Sequence, residues 1–233
     1  MKLENAHILI TGGTLGIGYA TAKLLVEHGA AVAITGRDKE RTQKAAEEIG
    51  AMPITADVAN PNDVQRTFEV FMEKYDRLDV LINNAGIGIA RRVEDLTIAN
   101  FEQIYRVNVF GAALMAAQAA EIFKKQNAGN IINIGSTAAS KGYEGGSIYA
   151  SSKAALRSMT QSWQAELRRY DIRVMLINPS EVTTAFGRED RQERESKPNK
   201  LRGEEIAWAI KGALEMDSRG FIPELAVWAT NPF

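Results

Sequence analysis

Cysteine is absent from the 233 residues, which excludes disulfides, thiolate metal sites and a cysteine nucleophile. Histidine is scarce too. His7 and His28 are the only two, both near the start and far apart, and are expected as helix-end or strand-edge residues rather than as a metal pair. No metal is expected. Long apolar runs are missing as well. The opening "MKLENAHILITGG" carries only a few apolar residues before its glycines, too few for a signal-peptide core or a bilayer span. A cytoplasmic location with no membrane partner is the expectation. Charge of one sign is also lacking: 28 basic and 29 acidic residues leave a net charge of -1. That balance gives no bulk attraction for nucleic acid, and none is expected as a partner.

What is present is an ordinary globular composition, 45% hydrophobic and 24% charged, long enough for one large α/β domain. Short apolar runs recur: "AHILIT", "AAVAIT", "MPITAD", "LDVLIN", "NIINIG" and "IRVMLIN". Between them lie stretches with apolar residues at helical spacing, such as Ile17, Ala20, Leu24 and Leu25, or Val64, Phe68, Phe71 and Met72. Continuous apolar strands alternating with helices predict a parallel sheet covered on both faces. Right-handed crossovers then make it a doubly wound, Rossmann-type α/β fold. "ELAVWA" near the end predicts an edge strand, bringing the sheet to about seven. No linker or repeat divides residues 1–233, so one domain is expected.

Two stretches point to chemistry. "ITGGTLGIG" lies between the first strand and the first helix, where Gly12, Gly16 and Gly18 let the backbone turn tightly toward a ligand. A helix N-terminus there presents free N–H groups to an anion. In "SIYASSKAAL", Tyr149 and Lys153 stand four apart, one above the other if the segment is helical. An ammonium near a phenol favours the phenolate, and such a pair suits proton transfer. Taken by itself, the pair reads better as the decoration of a helix surface.

The chain as a whole resembles the short-chain dehydrogenase/reductase family. The resemblance rests on "TGGTLGIG" (Thr11 to Gly18), Asp57-Val58, "NNAG" (Asn83 to Gly86), Asn108 in "VNVFG", Ser136 in "GSTAA" and "YASSK" (Tyr149 to Lys153), all in order and at family spacing. It implies a nicotinamide coenzyme held by Gly12, Thr14, Leu15, Gly16, Ile17 and Gly18 at the phosphates. It also implies Asp57 and Val58 at the adenine, and Asn84, Ala85 and Gly86 beside the ribose. Tyr149 and Lys153 would reach the nicotinamide ribose, with Pro179, Val182 and Thr184 near the nicotinamide amide and phosphates. Asn108, Ser136, Tyr149 and Lys153 match the family's catalytic set. The implied reaction is reduction of a carbonyl to an alcohol, or its reverse, with 3-oxoacyl thioester reductases as the nearest kind. A sugar or pterin reductase, or a coenzyme-binding scaffold without turnover, are the alternatives.

The second strand ends "ITGRD". Gly36 stands where a carboxylate would bind the NAD ribose, and Arg37 beside it suits a 2′-phosphate. NADP(H) is therefore favoured over NAD(H), and Gly36→Asp with Arg37→Ile is expected to reverse the choice. Asp38 is assigned to a helix N-cap. Two features depart from the family. Ser180 replaces a glycine in "NPSEVTT", and the C-terminus lacks the glycine-rich strand that closes many tetramers. Residues 187–202, with six basic and four acidic side chains, are expected to form a substrate lid. The resemblance also implies that the helix around Phe101 to Lys125, which carries the Ala-rich "AALMAAQAAEIF", and the helix around Ser147 to Tyr170 pair across a two-fold axis, giving a homodimer or homotetramer.

Overall fold

The computed structural model describes residues 1–187 and 190–232. Seven parallel strands form a single sheet in the order β3-β2-β1-β4-β5-β6-β7. They are β1 (His7–Thr11), β2 (Ala31–Gly36), β3 (Met52–Thr55), β4 (Val80–Asn83), β5 (Gly129–Ile134), β6 (Ile172–Pro179) and β7 (Glu224–Val227). The helices are α1 (Gly16–Glu27), α2 (Lys39–Ile49), α3 (Pro61–Tyr75), α4 (Ile98–Tyr105), α5 (Ala112–Gln126), α6 (Ser147–Leu167) and α7 (Gly203–Glu215).

The period of two along a strand explains why the apolar runs are continuous. Ile8 and Ile10 of β1 join one core with Leu25 of α1 and Ile206 and Ile210 of α7, whereas Leu9 faces a second core with Phe71 of α3 and Phe123 of α5. Val80, Leu81 and Ile82 of β4 divide in the same way. Each such side chain fully removed from water contributes about 1.5–3 kcal/mol, so neither face tolerates a polar residue without a partner.

The helix ends follow local chemistry. Asp38 accepts the Arg41 N–H at 2.8 Å and caps α2, as its position predicted. Asn60 caps α3 ahead of Pro61, whose missing N–H is harmless at the first helical position. His7 opens β1 and His28 ends α1, at a strand edge and a helix end as expected. "ELAVWA" does supply the edge strand, β7, paired with β6. Ser180 is not among the residues with positive φ, and its N–H donates to Val227 O at 2.9 Å. The serine thus continues the sheet without needing a glycine's freedom. Among the described residues, no helix is long and apolar enough to cross a membrane.

Candidate functional site

Strand order reverses between β1 and β4, and a cleft of about 570 Å³ opens at the carboxyl ends of the strands there. That is where open α/β sheets bind ligands. Every residue assigned to the coenzyme lines it except Gly18. A Cβ on Gly18 would lie 2.4 Å from both Asn84 Nδ2 and Gly12 O, so this glycine lets α1 close onto the strand ends rather than facing the cleft. Gly12 adopts φ +66°, and its Cβ would meet the Ala85 backbone at 2.9 Å. Asn84 binds the two loops together, donating to Thr11 O and Gly12 O at 2.9 Å each.

Helix α1 has no capping side chain of its own. Its first N–H, on Gly16, instead donates to Glu193 Oε1 at 2.9 Å. An anionic oxygen thus already sits on the glycine turn, which fits the requirement of a coenzyme phosphate for a backbone donor. At the other side of the same end, Arg37, Arg41 and Arg191 all line the cleft. Only Arg37 was foreseen. Arg41 lies one helical turn further along, and Arg191 arrives from a distant segment, so neither carried a local signal.

At the opposite end Ser136, Tyr149 and Lys153 come together. Ser136 follows β5, where its N–H donates to Asn178 Oδ1 at 3.0 Å and its hydroxyl accepts from Ala138 N at 3.1 Å. Asn178 is fixed in turn by donating to Glu224 at 2.8 Å, a positioning chain that no motif disclosed. Tyr149 and Lys153 lie in the first two turns of α6, on one face as their spacing implied.

The electrostatics differ from the expected phenolate. Burial pushes the Tyr149 phenol up to about 12, and a hydrogen bond with Ser136 pulls only partly against it. Lys153 Nζ stands 5.9 Å from the phenol ring centroid and donates to Ile134 O at 2.7 Å. Desolvation therefore decides the state of the Tyr149 phenol.

Burial also lowers Lys153 to about 8. Between there and the ordinary lysine value near ~10.4, the unfolded chain holds a proton that the folded one has released. Stability due to this group accordingly rises with pH across that window and is lowest below it. Lys153→Met is expected to be more stable than wild type at neutral pH, with the difference shrinking toward about pH 10. Urea denaturation at both pH values checks this, and a gap that widens with pH would contradict it.

Asn108 does not line the cleft. It lies in a π-helical turn, Arg106–Gly111, between α4 and α5, a distortion common at functional sites and unannounced by the sequence pattern. Both side-chain donors are committed, to Ile87 O at 2.9 Å and Ser152 Oγ at 3.1 Å, and its Oδ1 accepts from Ile87 N at 2.9 Å. Its amide thus clamps the loop after "NNAG". A Cβ on Gly86 would lie 3.4 Å from Asn108 Oδ1 and 3.6 Å from Lys153 Nζ, so that loop passes close to both.

The short chain dehydrogenase model matches residues 6–195, most of the chain. The chain belongs to the short-chain dehydrogenase family. This short-chain dehydrogenase is 35% identical over 192 residues to secoisolariciresinol dehydrogenase of Forsythia intermedia, covering 80% of this chain and 69% of that protein. Its structure is similar to that of a 3-ketoacyl-(acyl-carrier-protein) reductase from Brucella melitensis complexed with NADH, with TM-score 0.89, 30% identity and coverage of 99% and 100%. An alcohol dehydrogenase from the archaeon Thermococcus sibiricus, complexed with 5-hydroxy-NADP, matches with TM-score 0.89, 27% identity and 97% coverage of each chain. The dehydrogenase is an enzyme and an oxidoreductase, and a nicotinamide coenzyme fits its cleft.

The segment assigned as a lid returns to its own starting point. Thr183 N donates to Leu201 O at 2.7 Å, and Lys200 pairs with Glu181 at 2.6 Å. Within that assignment, Arg188 and Glu189 lie outside the described residues. Phe186, just before it, packs its ring 5.4 Å from that of Tyr149.

Proposed function

We propose that this dehydrogenase reduces a carbonyl to an alcohol, or the reverse, with NADP(H), and that a 3-oxoacyl thioester is the leading substrate class. The observation that carries the reading is the gathering of Ser136, Tyr149 and Lys153 in one cleft with the glycine turn and three arginines. When bound, the coenzyme would supply or accept the hydride. Ser136 orients the substrate oxygen through its hydroxyl. Tyr149 gives that oxygen a proton, and a phenol held near 12 is the protonated, donating form throughout the neutral range. Lys153 steadies the charge left on the phenol and holds the coenzyme ribose. Asn108 positions the loop that runs past Lys153. Gly12, Thr14, Leu15, Gly16 and Ile17 cradle the phosphates, Asp57 and Val58 border the adenine, and Asn84, Ala85 and Gly86 the ribose. Pro179, Val182 and Thr184 border the nicotinamide, and Gly18 serves indirectly by packing α1.

The described part of residues 187–202 is read as a lid over the substrate end. Ile87, Ala185 and Phe186 give that end an apolar lining suited to an acyl chain. The test is NADPH oxidation against a panel of carbonyl compounds that includes an acetoacetyl thioester. Consumption with the thioester supports the reading. Tight NADPH binding without consumption on any carbonyl would point to a scaffold instead.

Assembly is inferred as a homodimer or larger, through the outer face of α4 and α5. Phe110 is 55% exposed and Ile98 79% exposed, while Ala112, Met115, Ala116 and Ala119 are used up inside the chain. The small outward residues Ala113 and Ala117 allow a second helix to approach closely. Light scattering at micromolar concentration is expected to give at least twice the chain mass, and a monomer would contradict the inference.

A further inference from the structure

The carboxylate on the glycine turn belongs to a segment that reaches the cleft at a second place. Glu193 Oε1 accepts the Gly16 N–H at 2.9 Å, across 177 residues of chain. Two positions earlier, Arg191 lines the cleft together with Arg37 and Arg41. Three guanidiniums facing one cavity repel one another unless an anion lies among them. Asp38 and Asp57 line the same cavity, but one oxygen of each is engaged locally, Asp38 accepting the Arg41 N–H and Asp57 the Ala59 N–H. The cluster therefore carries a net excess of positive charge. Burial, and next the charges of Arg37 and Arg41, lower the pKa of Arg191.

We propose that residues 190–193 form a strap that first competes with the coenzyme and then reads it. Glu193 occupies the backbone donor that a dinucleotide phosphate needs, and the phosphate must displace it. Arg191 then completes, with Arg37 and Arg41, a three-guanidinium pocket for a 2′-phosphate. The strap lies within the segment proposed as the substrate lid, so recognition at the adenosine end is tied to that same segment. This inference rests on the dinucleotide reading above and adds two residues to it, each with an opposite effect on affinity.

Both side chains are on a surface segment, so substitution there leaves the two cores intact. Dissociation constants for NADPH and NADH are measured by titrating the protein's tryptophan fluorescence. Glu193→Gln is expected to tighten both coenzymes alike, by about two- to fivefold, the size of an exposed anion's interaction with a helix N-terminus. Arg191→Gln is expected to weaken NADPH by about tenfold, equivalent to about 1.4 kcal/mol, and to leave NADH within about twofold. Glu195→Gln removes the same charge from the same segment without touching Gly16, and is expected to change neither. Affinities unaltered in Glu193→Gln, or tightened equally in Glu195→Gln, would overturn the displacement. Equal weakening of both coenzymes in Arg191→Gln would overturn the reading of the 2′-phosphate. If wild type binds both coenzymes and the variants do not differ, the strap fails alone. If wild type binds neither, the dinucleotide reading fails and takes the strap with it.

Discussion

Tyr149→Phe is expected to lower turnover by about two to four powers of ten, the usual range for removing a positioned general acid. The phenyl ring keeps its place against Phe186, so NADPH affinity should stay within about threefold, well under one tenfold step of about 1.4 kcal/mol. The measurements are kcat with the best carbonyl of the panel and a coenzyme titration of the same preparation. Turnover within a few-fold of wild type would end the proposed proton transfer. A second signature separates the directions of reaction. Carbonyl reduction needs the protonated phenol and is expected to run undiminished through neutral pH, because burial holds Tyr149 near 12. Alcohol oxidation needs that proton gone and is expected to climb with pH. An oxidation rate that falls as pH rises would place the base elsewhere.

The second large effect concerns coenzyme choice. Wild type is expected to prefer NADPH over NADH in kcat/KM by roughly ten- to a hundredfold, since a charge-assisted hydrogen bond contributes about 1.5–3 kcal/mol. Reversing that preference with Gly36→Asp, the obvious exchange from sequence, conflicts with the structure. A Cβ at Gly36 would lie 2.4 Å from Thr42 Oγ1 and 2.6 Å from Thr14 Cγ2. Thr42 is buried and donates to Asp38 O at 2.6 Å, so it has little room to retreat. Arg37→Gln combined with Arg41→Gln avoids the clash and removes two of the three cations. The double variant is expected to lose NADPH efficiency by about a hundredfold, the sum of two steps of about 1.4 kcal/mol, while NADH changes little. Steady-state kinetics with each coenzyme check this. A parallel loss with both would mean that the arginines shape the cleft rather than select the 2′-phosphate.

Local chemistry wrote much of this protein into its sequence. The alternating apolar runs specified a doubly wound parallel sheet because a strand covered on both faces has no polar side to show. Gly12 and the N-cap Asp38 were legible because turn and cap geometry depend on a few adjacent residues. Tyr149 and Lys153 were legible as a pair because a helix converts a spacing of four into a shared face. Their electrostatics were not. The spacing suggested a cation close to a phenol, yet Lys153 turns to Ile134 O and burial decides both pKa values. Desolvation depends on what the rest of the chain packs above a residue, which no local pattern records. The same holds for Asn108, whose amide is spent on Ile87 and Ser152, and for Asn178, brought to Ser136 by the pairing of β5 with β6 and held there by Glu224 of β7. Arg191 and Glu193 lay in a polar stretch that read as a solvated lid. Only the folded chain brings them to Arg37 and Gly16, because contacts between distant segments are set by the packing of the whole sheet and not by the residues that flank them.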